Sequence, residues 1–154
     1  MIDKRLKSLV ERKQTLKDKL TLLLPLLAQE GQKEYDLWEQ DEEGYDPELG
    51  MGGICHLIAD GIAEQINDYI PEGLHITQSS SHMQHVFVSS FLRHPDGEIE
   101  GYSVDIHPYL YEEGAGFCWR KLPDVVFDSS MVELYPIDAE GYLTEDELDY
   151  MGWL

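Results

Sequence analysis

The chain has 154 residues, of which 42% are hydrophobic and 27% charged, enough for one domain around one core. Three Trp, nine Tyr and four Phe are too many aromatics for a disordered chain. With 31 Asp+Glu against 11 Lys+Arg, the formal net charge is −20, which argues against nucleic-acid binding and against anionic membranes, and favours solubility or a basic partner.

The charge is uneven. Seven of the eleven basic residues, Lys4, Arg5, Lys7, Arg12, Lys13, Lys17 and Lys19, fall in the first nineteen positions. This reads as a basic arm on an acidic body. Residues 2–24 read as helix, because Ile2, Leu6, Leu9, Leu16, Leu20, Leu23 and Leu27 recur at heptad-like spacings. That stripe either packs on its own domain or pairs two copies as a homodimer. Pro25 should kink or restart the helix, which then resumes to about Trp38. The division expected is a helical arm over 1–38 and an α+β unit over 39–154, together forming one compact body.

Residues 39–53 crowd Asp41, Glu42, Glu43, Asp46 and Glu48 with Pro47 and several glycines. They read as an exposed loop, or as a loop that binds a cationic ligand. Ile54–Ile70 is helix, with Ile54, Leu57, Ile58, Ile62, Ile66 and Tyr69 on one face, and Pro71-Glu72-Gly73 ends it. After a polar stretch over Gln78–Ser81, the pattern becomes β. Gln84–Leu92 and Ile99–Ile106 form a hairpin around His94-Pro95-Asp96-Gly97. Phe117–Leu122, Val125–Phe127 and Val132–Ile137 are further short strand candidates, and Glu145–Tyr150 closes the chain as a helix. Helices first and an antiparallel meander after them make the class α+β.

Three residues carry candidate chemistry. Cys55 follows Gly52-Gly53 in the first turn of a helix, where unpaired amides and the helix dipole favour a thiolate and supply donors for an oxyanion. His85, at the start of the first hairpin strand, is a candidate base. Asp105, near the end of the second, needs a partner inside a half-buried strand, and an imidazole N–H would serve. A hairpin turn of three or five residues, or one that carries a bulge, puts His85 and Asp105 on one face. A four-residue turn puts them on opposite faces.

The segments Gly53-Ile54-Cys55-His56-Leu57-Ile58-Ala59-Asp60, His85-Val86-Phe87-Val88 and Gly101-Tyr102-Ser103-Val104-Asp105 resemble the core motifs of the papain-like and transglutaminase-like cysteine hydrolases. The resemblance spans about residues 50–110. It implies a helix packed on an antiparallel sheet, with Cys55 attacking an amide or thioester carbonyl, His85 deprotonating the thiol and Asp105 orienting the ring. His56 stands where the family often has Trp or Gly, and the nearest upstream glutamine is Gln40. The expected activity is cysteine-dependent acyl transfer through a thioester, without cofactor or metal, on a peptide or protein amide that the acidic body would prefer cationic.

Other readings compete for the same residues. An acidic, non-catalytic binding or inhibitor protein that engages a basic partner, on a papain-like scaffold or another, accounts for the charge. His82, His85, Asp105 and His107 with Cys55 could be imagined as a zinc site, but lack paired ligand spacing. Residues 138–147 resemble part of an EF-hand loop. Their plainer reading is Thr144 as an N-cap with Glu147 closing a capping box. Tyr109, Tyr111, Phe117 and Trp119 read as packing or as a cleft wall, and Cys118 as structural. Two distant cysteines without a CxxC pattern and a charged start without a signal pattern point to a reduced, cytoplasmic setting.

Overall fold

A computed structural model describes residues 2–40, 55–80, 85–106 and 126–154. Helices come first, α1 (Lys4–Arg12), α2 (Leu16–Gln40) and α3 (Cys55–Tyr69). Strands β1 (Leu74–Ser80), β2 (His85–Arg93), β3 (Ile99–Ile106) and β4 (Val132–Pro136) follow, then short helices α4 (Ala139–Tyr142) and α5 (Glu145–Met151). The strands form one antiparallel sheet in the order β1-β2-β3-β4. The α+β class with leading helices is therefore as expected from the sequence.

The helical stripe splits. Leu16, Leu20, Leu23 and Leu27 of α2 are wholly enclosed, together with Val10 of α1. They join Ile58, Ile62 and Ile66 of α3 and Val88, Val104 and Ile106 of the sheet in a single core. Burying each such side chain stabilises by about 1.5–3 kcal/mol. Ile2 and Leu9 stay exposed.

The first helix was expected to run unbroken to residue 24 and to be disturbed at Pro25. Instead it stops at Arg12 and restarts at Leu16, and α2 runs through Pro25. The break is a built N-terminus. The Asp18 amide donates to Thr15 Oγ1 at 3.1 Å, and the Leu16 and Lys17 amides donate to the Glu100 carboxylate at 2.8 and 3.0 Å. Those amides would otherwise be orphaned, and a carboxylate there also complements the helix dipole. The buried Lys19 donates to the Val10 carbonyl at 3.0 Å and so closes α1. At Pro25, the carbonyl of Thr21 loses its helical donor. Both residues are exposed, so water can satisfy that carbonyl.

Strand β1 is an addition, because the polar reading of Gln78–Ser81 hid it. Gln78 earns its place by accepting from Ser89 Oγ across the ladder and donating to the Tyr142 carbonyl at 3.1 Å. The candidate strand at 125–127 is not one where described: residues 126–128 carry no regular structure. The Phe127 amide instead donates to Gln32 Oε1 at 2.7 Å, and its ring packs on Tyr35. The candidate strand 117–122 lies outside the described residues. The capping box at Thr144 and Glu147 is present, and Gly152 ends α5 in the left-handed region.

Candidate functional site

Turn geometry places the candidate residues. The Gly73 amide donates to the Ile70 carbonyl at 3.2 Å, and His75 Nε2, as N–H, donates to the same oxygen at 2.7 Å. This turn folds α3 back along β1, and the two elements are similar in length, roughly 20 Å each. The start of α3, the start of β2 and the end of β3 consequently lie toward one end of the sheet. Cys55 is the first residue of α3, His85 the first of β2, and Asp105 the penultimate residue of β3. The fold brings all three to that end.

The hairpin ladder runs from Val88↔Val104 to Arg93↔Ile99. It leaves five residues, 94–98, in the turn, with Gly97 at φ 93°. An odd turn puts positions 85 and 105 on one face, one diagonal step apart.

The face itself follows from packing. Val88, Leu92, Val104 and Ile106 alternate onto the side that α3 covers. Position 85, next to the core-packed Val86, and Asp105 alternate onto the other side. There Asp105 is half-buried, its Oδ1 accepts the Ile106 amide at 2.9 Å, and its register partner on β4 is Glu133. Thus the ladder groups positions 85 and 105 with each other, and not with the face on which α3 lies. The side chains of Cys55 and His85 are outside what the structure describes, as are His82, His107 and Cys118, the acidic stretch from 41 onward and the aromatic stretch 109–121.

His75 reads from the sequence as a surface or loop histidine, but it lies in β1 and both its ring nitrogens are engaged. Its Nδ1 and Ser90 Oγ are hydrogen-bonded at 2.5 Å while Nε2–H donates to Ile70. Burial lowers its pKa to about 4, with the Ile70 hydrogen bond and Glu72 pulling the other way. Ser90 is fully enclosed. With Ser90 enclosed and both ring nitrogens of His75 engaged, the pair locks the α3–β1 turn. The position of His75 two residues after Pro71-Glu72-Gly73 is the sequence signal for that role.

Two carboxylates are also placed by the fold. Glu30 is buried between α2 and α3, accepts from Gln65 Nε2 at 3.1 Å and fills the space left by Gly61. Nearby, burial and then Glu30 raise the pKa of Glu34. On the opposite flank Glu100 binds His94 Nε2 at 2.8 Å besides the two α2 amides. Partial burial pushes its carboxyl up, but the amides and His94 outweigh that and the net shift is down. Among the described residues, no group of three or more His, Cys, Asp or Glu could hold a metal ion, and no helix is long and apolar enough to cross a membrane. In comparisons with known proteins, no family model, curated protein or solved structure matches the chain.

Proposed function

We propose that the protein is a cysteine-dependent acyl-transfer enzyme with a papain-like or transglutaminase-like core, acting on a peptide or protein amide. One observation carries the reading. A helix that begins with Cys55 packs on an antiparallel sheet whose next two candidate residues, His85 and Asp105, lie at the same end. In this reading the thiol of Cys55 loses its proton to His85 and attacks the carbonyl. The amine leaves with that proton, and water or a second amine resolves the thioester. The alternation of β2 directs position 85 away from α3. The reading therefore requires the His85 ring to come round the sheet's end to meet the first turn of α3. Residue 85 is the terminal one of its strand. Asp105, whose Oδ1 already accepts the next backbone amide, would then orient the ring.

The test is covalent. A chloroacetamide probe at neutral pH should label Cys55 many times faster than Cys118, read by peptide mass, and His85→Ala should remove the difference. Equal labelling of both thiols in the native chain overturns the reading.

A second reading, an acidic binding or inhibitor protein for a basic partner, draws on a different observation. The stretch from residue 122 to 154 holds nine acids and no Lys, Arg or His, and it contributes β4, α4 and α5 to the body. Binding to a basic protein that weakens with salt and is indifferent to Cys55→Ala would favour it over catalysis.

A further inference from the structure

Between α1 and α2 runs an open apolar groove of ≈ 430 Å³, floored by Leu6 and Leu9 of α1 and by Leu22, Pro25 and Leu26 of α2, with Arg5 at its edge. Leu9 is 42% exposed there. Arg5, Leu9 and Arg12 follow one another at i, i+4 and i+7, a single helical stripe. Exposed Lys4, Lys13 and Lys17 add to the same basic region. Asp3, an acid within it, is engaged as the N-cap of α1, accepting from the Arg5 and Leu6 amides. On a chain of net charge −20, this is a basic apolar surface set apart from the rest.

The same molecule carries its complement. Residues 145–154 present Glu145, Asp146, Glu147 and Asp149 beside Tyr150, 85% exposed, and Leu154, 75% exposed. This segment sits against the sheet's other side, where Tyr150 borders Leu74, whose register partner Phe91 faces away from α3. Groove and segment are thus separated by the thickness of the sheet and helix layers, and one copy cannot fill its own groove.

We propose that the α1–α2 groove receives the acidic 145–154 segment of a second copy in a head-to-tail contact. Apolar side chains of the segment would fill the groove, and its carboxylates would meet Arg5 and Arg12. Repulsion between two acidic bodies is screened beyond about 8 Å at physiological salt, so the local complementarity decides. Such a contact is heterologous: it leaves one groove and one segment free at the ends. It thereby differs from a symmetric pairing of leucine stripes, whose α2 half is already used in the core.

Sedimentation from micromolar to millimolar chain tests it. The wild-type mass should climb above 17.7 kDa with concentration. Leu9→Glu alone, and Tyr150→Ser with Leu154→Ser, should each hold the monomer mass. All three side chains are exposed, so both variants should keep the wild-type circular dichroism, and Arg5→Glu offers a third, milder block. Mixing the groove variant with the segment variant leaves one sound groove and one sound segment, and should produce a dimer and nothing larger. A wild-type chain that stays monomeric throughout, variants that still associate, or a mixture that stays monomeric each overturns the proposal.

Discussion

His75 shows how one side chain sets a pH limit on the fold. Its folded pKa is lowered to about 4 from an ordinary 6.5, so the unfolded chain takes up a proton in that interval and the folded chain does not. Stability is complete above about pH 6.5 and falls as pH drops toward 4, by up to about 3 kcal/mol. Urea unfolding at pH 7.5 and pH 5 should show this loss, and His75→Gln, which does not titrate, should flatten it; equal pH slopes in both chains contradict the assignment. Glu100 works in the same direction lower down. Its net depressed pKa means that its contribution is present above about pH 4.5 and is lost as acid protonates it. Glu100→Gln at neutral pH should cost about 1 kcal/mol, measured as a shift of the urea midpoint. Gly101 is fixed by space instead. A Cβ there would sit 2.8 Å from the Ile137 carbonyl oxygen and 2.9 Å from the Phe91 ring, so β3 and the chain after β4 could not close around alanine.

Elements explain which substitutions the fold tolerates. Leu16→Glu would bury an unpaired charge in the α2–α3–sheet core and should abolish cooperative unfolding. Leu9→Glu should leave it nearly intact. Leu20→Ala should cost about 3 kcal/mol through lost burial and a residual cavity, and Thr144→Ala about 1 kcal/mol through the lost cap of α5; thermal melts of the four variants check the order. Much of this level was legible in the sequence. The apolar period of α3 and the residues that bound β3 were readable because one face of each meets the core. The Thr144–Glu147 box was readable because capping is local. What escaped was set at a distance. The restart of α2 depends on Glu100, a residue 84 positions away. β1 is held by cross-strand polar pairs, and such pairs have no periodic signature along one strand. At Pro25 the local rule predicted a disturbance that an exposed carbonyl and enclosed neighbours at Leu23 and Leu27 offset.

At the scale of the molecule, topology rather than any one residue gathers the candidate site. Chain order predicted a helix bearing Cys55 against strands bearing His85 and Asp105, and the five-residue hairpin turn puts the last two on one face. Neither could tell which face the helices would cover, since that follows from α3 packing on β1 and β2 and α2 packing on β3 around Val88, Val104 and Ile106. Positions 85 and 105 alternate away from that face. The catalytic reading therefore concentrates on a single relation, the one between the Cys55 thiol and the His85 imidazole around the end of the sheet. The most direct measurement is the pH dependence of Cys55 alkylation in a Cys118→Ser chain, with and without His85→Ala. A thiol activated by a helix N-terminus and a neighbouring imidazole should react with an apparent pKa well below the ordinary value of about 8.5, and His85→Ala should return it toward that value. An alkylation profile centred near 8.5 in both chains would contradict the account.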